Sequence, residues 1–309
     1  MFQPDFTWIK TIDLAYNHRG FDVVRGATKE LYLNDTDVEV TDAQSLKSFD
    51  SDGFTLGTGS GSNPASEPMA SWNWKAGGTP VSNTDGTITS SVSANTTAGF
   101  SILTFVGNQT SGATVGHGLS VAPDMFWVKG IDLADSWGVY AKPMGNEHGL
   151  LLNSDVSQID SVTYWNDTTP TASVFSLGND TMINKTGINY IVYCFHSVAG
   201  YSKVGSYVGN GDGEGPFEYT GFKPAWVLFK AIDYANQDWR LGGNKMNPGN
   251  PTNNMFQINK ANAQESGNTV DYLSNGFKIR LGGNGFNNSG SNYVYIAFAE
   301  SPFKTSNAR

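Results

Sequence analysis

A single cysteine, Cys194, stands among the 309 residues, which excludes an intrachain disulfide and any zinc site built on cysteines. Charge is scarce too, at 15% of residues, against about 25% in an average soluble domain. Acids outnumber bases, giving a formal net charge of −9. No basic stripe is present to neutralise phosphates, so neither nucleic acid nor an anionic membrane surface is expected as a partner. No apolar run approaches the roughly 20 residues of a membrane-spanning helix. The opening MFQPDFTWIK lacks the basic and apolar regions of a secretory signal. Helical periodicity is also missing, and residues 28–49 offer one helical turn at most.

What fills the gap is glycine, 36 residues of it, together with asparagine, serine and threonine. A surface made polar by amides and hydroxyls suits short strands joined by tight turns. DG at Asp52–Gly53 and NG at Asn275–Gly276 are hairpin signals of that kind. YVYIAFAE (293–300) and FSILTFVGN (100–108) are β-rich runs of aromatic and β-branched residues.

One phrase is written three times: QPDFTWIK at 3–10, APDMFWVK at 122–129 and KPAWVLFK at 223–230. Each is followed at similar spacing by further echoes. SDGFTLG, SVFSLG and SNGFKIRLGG form one set; ASWNWKAGG, YIVYCFHS and YVYIAFAES close the units. GFSILTFVGN and GYSKVGSYVGN precede the second and third phrases. The chain is therefore expected to be all-β, with three tandem antiparallel β-sandwich repeats of about 100 residues each. The units span 1–78, 92–199 and 200–304, with a linker at 79–91 and a tail at 305–309. In each phrase the proline begins a strand without costing a ladder bond. Trp8, Trp127 or Trp226 enters the core, and the lysine is expected to end the strand towards solvent.

Unit one lacks the opening strand of the other two. That strand is absent, supplied by another chain, or replaced by the stretch 79–99.

Catalytic chemistry finds little support. His18, His117, His148 and His196 form no metal-binding pair, and no serine sits in a nucleophile elbow. Cys194 and His196 share a strand face, about 6–7 Å apart, too far for a thiol–imidazole bond, and read as a core cysteine beside a histidine at the core's edge. GNGDGEG (209–215) lacks the lysine and following helix of a phosphate loop. Asp50 with Asp52, and Asp212 with Glu214, are weak calcium candidates. Each pair is short of the ligands calcium takes and reads as a solvated hairpin turn. No acid pair for glycoside hydrolysis is singled out. The expectation is a non-enzymatic protein with no cofactor.

A sugar site has better material. Tyr164 and Trp165 adjoin Asn166 and Asp167 in SVTYWNDTTP, and Trp137 lies in LADSWGVY. Aromatic faces stack on sugar rings while amides and carboxylates take hydroxyls. The alternative is that Trp165 folds back to anchor its loop.

FDVVRGATKELYLN, SFDSDGFTLG, SNTDGTITSSVSANTTAGFSILTFVGN, ATVGHGLSVAPDMFWVKG, WNDTTPTASVFSLG, GYSKVGSYVGNG and AFAESPFKTSNAR carry a resemblance over nearly the whole chain. The sequence resembles a family of repeat-containing, tail-fibre-like structural proteins of tailed bacteriophages, particularly phages of marine bacteria. The resemblance implies a virion protein made in the host cytoplasm, consistent with the missing signal peptide. It further implies a tail-fibre or receptor-binding role, contact with other virion proteins and a host cell-surface glycan, and a homotrimeric assembly. A capsid decoration protein and a polysaccharide-degrading tail protein are the alternatives. It supplies no catalytic residues.

Overall fold

Local sequence sets where strands begin. A left-handed residue ahead of an opening strand calls for glycine, and Gly99 (φ +63°) and Gly200 (φ +74°) take that place in the GF and GY echoes. The computed structural model describes residues 2–247, 249–283 and 285–302. The tail expected at 305–309 lies outside them.

The first unit holds β1 (Phe6–Thr11), β2 (Arg19–Asp22), β3 (Lys29–Tyr32) and β4 (Val40–Thr41). A hairpin of β5 (Leu46–Asp50) and β6 (Gly53–Leu56) follows, then β7 (Met69–Trp74). The sheet runs β4-β3-β2-β1-β7.

Next come β8 (Val81–Asn83), β9 (Ser90–Asn95), β10 (Phe100–Val106), β11 (Ala113–Gly116) and β12 (Met125–Gly130). They continue with β13 (Gly138–Ala141), β14 (His148–Leu151), β15 (Ile159–Asp160) and the one-turn helix α1 (Val162–Trp165). β16 (Val174–Leu177), α2 (Thr181–Asn184) and β17 (Asn189–Phe195) complete the unit. The second sheet runs β15-β14-β13-β12-β17-β10-β9-β8, with β11 and β16 paired beside it.

The third unit has β18 (Ser202–Val208), β19 (Phe217–Tyr219), β20 (Pro224–Ala231) and β21 (Arg240–Gly242). β22 (Thr252–Gln257), β23 (Glu265–Leu273), β24 (Gly276–Ile279) and β25 (Asn292–Ala299) follow. Its sheet runs β18-β25-β20-β21-β22-β23-β24-β19. Every strand pairing is antiparallel, and the all-β expectation holds. The segment 79–91 is not a linker. It contains β8 and the start of β9, both built into the second sheet, β9 beside β10 and β8 beside β9. The same pairing shows that residues 79–99 do not take the missing place beside β7.

Strand alternation sorts each phrase into two cores. Phe6 and Trp8, Met125 and Trp127, and Trp226 and Leu228 all enter one central cluster. Their neighbours turn outward: Ile9 packs under the β5–β6 hairpin, Phe126 and Val128 under β11, β16 and α1, and Val227 and Phe229 under β23 and β24. The three sheets thus have separate outer cores and share an inner one, rather than folding as independent tandem domains. Trp8 lies at the centre, edge-on to Trp127 at 6.2 Å and to Trp226 at 6.0 Å. Such contacts are worth about 0.5–1.5 kcal/mol each beyond area burial.

Hydrogen bonds close the arrangement into a ring. Glu39 N donates to Ile131 O at 2.8 Å, Gln158 N to Ile232 O at 2.7 Å, and Gln264 N to Ile12 O at 2.8 Å. Each bond joins one unit to the next, and the last returns to the first. Indoles repeat the pattern: Trp137 Nε1 donates to Tyr32 O and Trp239 Nε1 to Leu151 O. At the third corner stands His18, which accepts from Trp8 Nε1 at 3.1 Å through Nδ1. Its Nε2 is buried with no hydrogen-bond partner among the described residues. Burial, and then the Lys10 charge, hold this imidazole well below the usual histidine range.

The phrase-ending lysines overturn the expectation that they reach solvent. Lys10, Lys129 and Lys230 are all buried. Each ammonium is satisfied by backbone carbonyls of the loop it precedes or of a neighbouring unit. Lys10 Nζ donates to Thr11 O and Leu14 O, Lys129 Nζ to Gly130 O and Leu133 O, and Lys230 Nζ to Gln237 O and Asp155 O. A loop whose carbonyls point inward needs a buried donor, and a strand-end lysine has the reach to supply one. Burial lowers all three to about 8.

Candidate functional site

The start of each phrase strand carries a bulge. Asp124 N donates to Phe195 O at 2.8 Å, while Met125 also stands opposite Phe195. Asp5 and Phe6 do the same against Trp74, and a register shift falls between Pro224 and Trp226. Two residues facing one re-aim a side chain out of the strand's alternation. At Asp124 the result is a carboxylate directed into a cleft where the second and third sheets meet.

That cleft, about 560 Å³, is lined by Asp124, Lys142, Ser197, Ser202, Lys203 and Thr220, with Pro143, Ala199 and Val204 adding apolar wall. Asp124 Oδ1 accepts from Lys142 Nζ at 3.0 Å and Oδ2 from Ser197 N at 2.8 Å. Burial works against its ionised form, but the hydrogen bonds from Ser197 and Lys142 outweigh it and keep the carboxyl below its usual range. The group is an ionised acceptor at neutral pH. Lys203 Nζ donates to Tyr219 O, and Thr220 Oγ1 to Phe222 O. These bonds fix the ammonium and hydroxyl that face Asp124 across the cleft.

His196 Nδ1 lies 3.4 Å from Asp124 Oδ2 without hydrogen-bond alignment. An acid–imidazole pair would serve a nucleophile, but the nearby hydroxyls are occupied. Ser202 Oγ donates to the His196 carbonyl, and Ser197 Oγ accepts from Val204 N and hydrogen-bonds the Asp124 carboxylate. Among the described residues no serine, threonine or cysteine hydrogen-bonds the His196 ring. Cys194, two residues away, points into the outer core of the second sheet, and burial raises its thiol far above the reactive range. The cleft offers carboxylate, ammonium and hydroxyl groups on fixed backbone, an arrangement for holding a hydroxyl-rich ligand.

The residues singled out from sequence sit elsewhere. Trp137 is fully buried in the central core, its indole bonded to Tyr32 O. Tyr164 and Trp165 form α1 with their rings packed inward, and Trp165 Nε1 donates to His148 O at 3.0 Å. Neither ring offers a face to a sugar, and the loop-anchor alternative holds. Asn166 caps α1 in the left-handed conformation at φ 53° and binds Ser111 Oγ, leaving Asp167 exposed beside it. SVTYWNDTTP is polar enough to read as surface, yet Trp165 covers the second sheet's outer core against Phe126 and Tyr140, with Tyr164 packed beside it.

The calcium candidates do not converge. Asp50 accepts from Thr55 Oγ1 and Ser48 Oγ, which lower its pKa, and Asp52 stands in the adjoining hairpin turn. Asp212 takes the backbone N–H of Glu214, whose own carboxylate pairs with Arg280 and Lys278. No cluster of three or more acidic, histidine or cysteine groups suited to a metal occurs among the described residues.

Asp124 was visible in the repeated phrase, but only the bulge gives it a direction. Lys142, Lys203 and Thr220 carry no sequence signal, because they meet Asp124 only where two sheets join. No curated protein matches the chain, and no solved structure matches it. Over residues 1–302 it matches the family described as a domain of unknown function (DUF7483), and it belongs to that family.

Proposed function

We propose that the chain is a non-enzymatic structural component of a bacteriophage virion, of the tail-fibre or receptor-binding kind, holding a bacterial surface glycan in the Asp124 cleft. The observation that carries this reading is the cleft itself. Its carboxylate, ammonium and hydroxyl groups are each tied to backbone or to one another, so they are ordered before a ligand arrives, and little ordering entropy is lost on binding. A ring of three sheets around one aromatic core is a stiff mount for such a surface. Sugar hydroxyls are matched by Asp124 and the Thr220 oxygen as acceptors and by Lys142 and Lys203 as donors, while Pro143 and Val204 can meet the C–H faces.

The test is competition. Excess purified protein added before phage should reduce adsorption to host cells, and free host polysaccharide should reverse that effect. Unchanged adsorption at saturating protein would overturn the receptor-binding reading. Gold-labelled antibody on intact particles then separates sites of use: label at the tail fits this proposal, and label over the head fits capsid decoration instead. Release of reducing ends from host capsule would favour a degrading enzyme.

A further inference from the structure

The strand position beyond β7 in the first sheet is empty among the described residues. In the second sheet β17 lies between β12 and β10, and in the third β25 lies between β20 and β18. The matching strand β7 pairs with β1 alone. Its residues align with those strands through the phrase: Trp74 with Phe195 and Phe298, Asn73 with Cys194 and Ala297, Ser71 with Val192 and Tyr295.

Parity tells which backbone groups are unused. Ile12 N donates to Pro68 O, which makes Trp72 and Ala70 the β7 residues bonded to β1. The N–H and C=O of Ser71 and Asn73 therefore face the open edge. At the same positions Cys194 and Val192 stand opposite Ser101 and Leu103, and Ala297 and Tyr295 opposite Lys203 and Gly205. β17 and β25 are almost wholly buried, whereas β7 is half-exposed along most of its length.

Two hollows flank Asn73 on the two sides of this edge. One of about 510 Å³ is lined by Phe2, Lys75, Thr97 and Tyr201, next to the central core. The other, about 260 Å³, is lined by Pro4, Asp52 and Phe54, next to the first unit's outer core. A strand laid along β7 sends alternate side chains to opposite faces, and so into both. In the second sheet the filling strand β10 does this with Phe100 and Ile102 inward and Leu103 and Phe105 outward.

We propose that the free edge of β7 is an acceptor for an extended apolar strand of the β10 and β18 kind, donated antiparallel by a second polypeptide. The described residues contain two such strands and use both in their own sheets. Exposed strand edges with unpaired backbone groups are templates for this kind of addition.

The chain's own sequence provides the probe. A peptide of residues 99–108, GFSILTFVGN, is titrated onto the purified protein while amide hydrogen exchange is followed at Ser71 and Asn73. The expected result is saturable binding, with exchange at both amides slowed at least tenfold. A peptide N-methylated at the Ser101 and Leu103 positions, which removes the donors facing β7 without altering the protein, should bind at least tenfold more weakly. Asn73→Pro should also lose binding, and the methylated peptide decides the matter if that variant fails to fold. No protection by the peptide, equal binding of a shuffled peptide, or amides already protected in the isolated chain would each overturn the proposal. A dimer joined through β7 that the peptide does not dissolve would overturn it as well.

Discussion

The ammonium of Lys129 donates at 2.7 Å to the carbonyl of Leu133, four residues ahead in the same chain. Lys10 and Leu14 repeat the relationship at 2.9 Å. A buried cation is costly unless its hydrogen bonds are made, and here it is the internal donor for a loop that turns its carbonyls inward. Lys129→Met should therefore leave the Gly130 and Leu133 carbonyls unpaired, at about 1–3 kcal/mol each. At pH 7 that loss is partly offset, because the methionine also removes a desolvated charge. By pH 9.5 the wild-type lysine is largely neutral, the offset has gone, and the gap in urea midpoints between wild type and variant should widen. A gap that narrows with pH would contradict the buried ammonium.

The three lysines give stability a definite pH course. Their folded pKa is about 8, against an ordinary 10.5. Between those values the unfolded chain binds more protons, so stability rises with pH, by up to about 1.4 kcal/mol per pH unit for each lysine. Buried tyrosines act in the opposite sense above pH 10. Tyr140, Tyr190 and Tyr201 are pushed up to about 12 by burial, so there the folded chain holds more protons and stability falls. Urea midpoints should climb from pH 7.5 to about 9.5 and drop beyond 10.5. A flat profile through pH 9 would show that the lysines are not held as described.

A core shared by three sheets should unfold as one unit. Denaturant should give a single transition, and Trp8→Ala should move all of it, by about 3–5 kcal/mol. Cys194 reports from the far side of the second sheet: its thiol should stay unreactive until that same transition. Residues 92–199 expressed alone should not fold stably, since one face of their sheet loses its cover. Two separated transitions, with thiol labelling in only one, would mean that the units are energetically independent.

Function and packing separate at two residues. Lys142 is largely exposed and its pair with Asp124 sits at the surface, so Lys142→Ala should cost no more than about 1 kcal/mol of stability. The same change should weaken competition for host adsorption about tenfold, the loss of roughly 1.4 kcal/mol of ligand contact. Trp165→Ala should do the reverse, losing about 3–5 kcal/mol of stability with little effect on adsorption per folded molecule. If Trp165 variants fold well and lose adsorption, the binding surface lies on the second unit's loops rather than in the cleft.

Much of the framework was legible beforehand. The repeated phrase marks β1, β12 and β20, its tryptophans are core residues, and among the described residues no strand lies beyond β7. These follow from local rules: alternation along a strand, proline at its start, glycine where φ is positive. Residues 79–91 misled because a run of serine, threonine, glycine and asparagine has the composition of a linker. An edge strand such as Val81–Asn83 buries little and has no need of an apolar pattern.

By itself, then, the sequence determined an all-β chain, the recurrence of its phrase strands and the phrase tryptophans that must leave water, because each depends on neighbours a few residues apart. Only the tertiary structure decided that three sheets share one interior and close into a ring, since Glu39 and Ile131, or Gln264 and Ile12, lie far apart along the chain and carry no mark of one another. It also decided the fate of charge and aromatics that local pattern assigns to solvent. Lys129 goes inside because inward carbonyls demand a donor, Trp165 because Phe126 and Tyr140 leave a surface to cover, and Asp124 faces a cleft because a bulge turns it where two sheets meet.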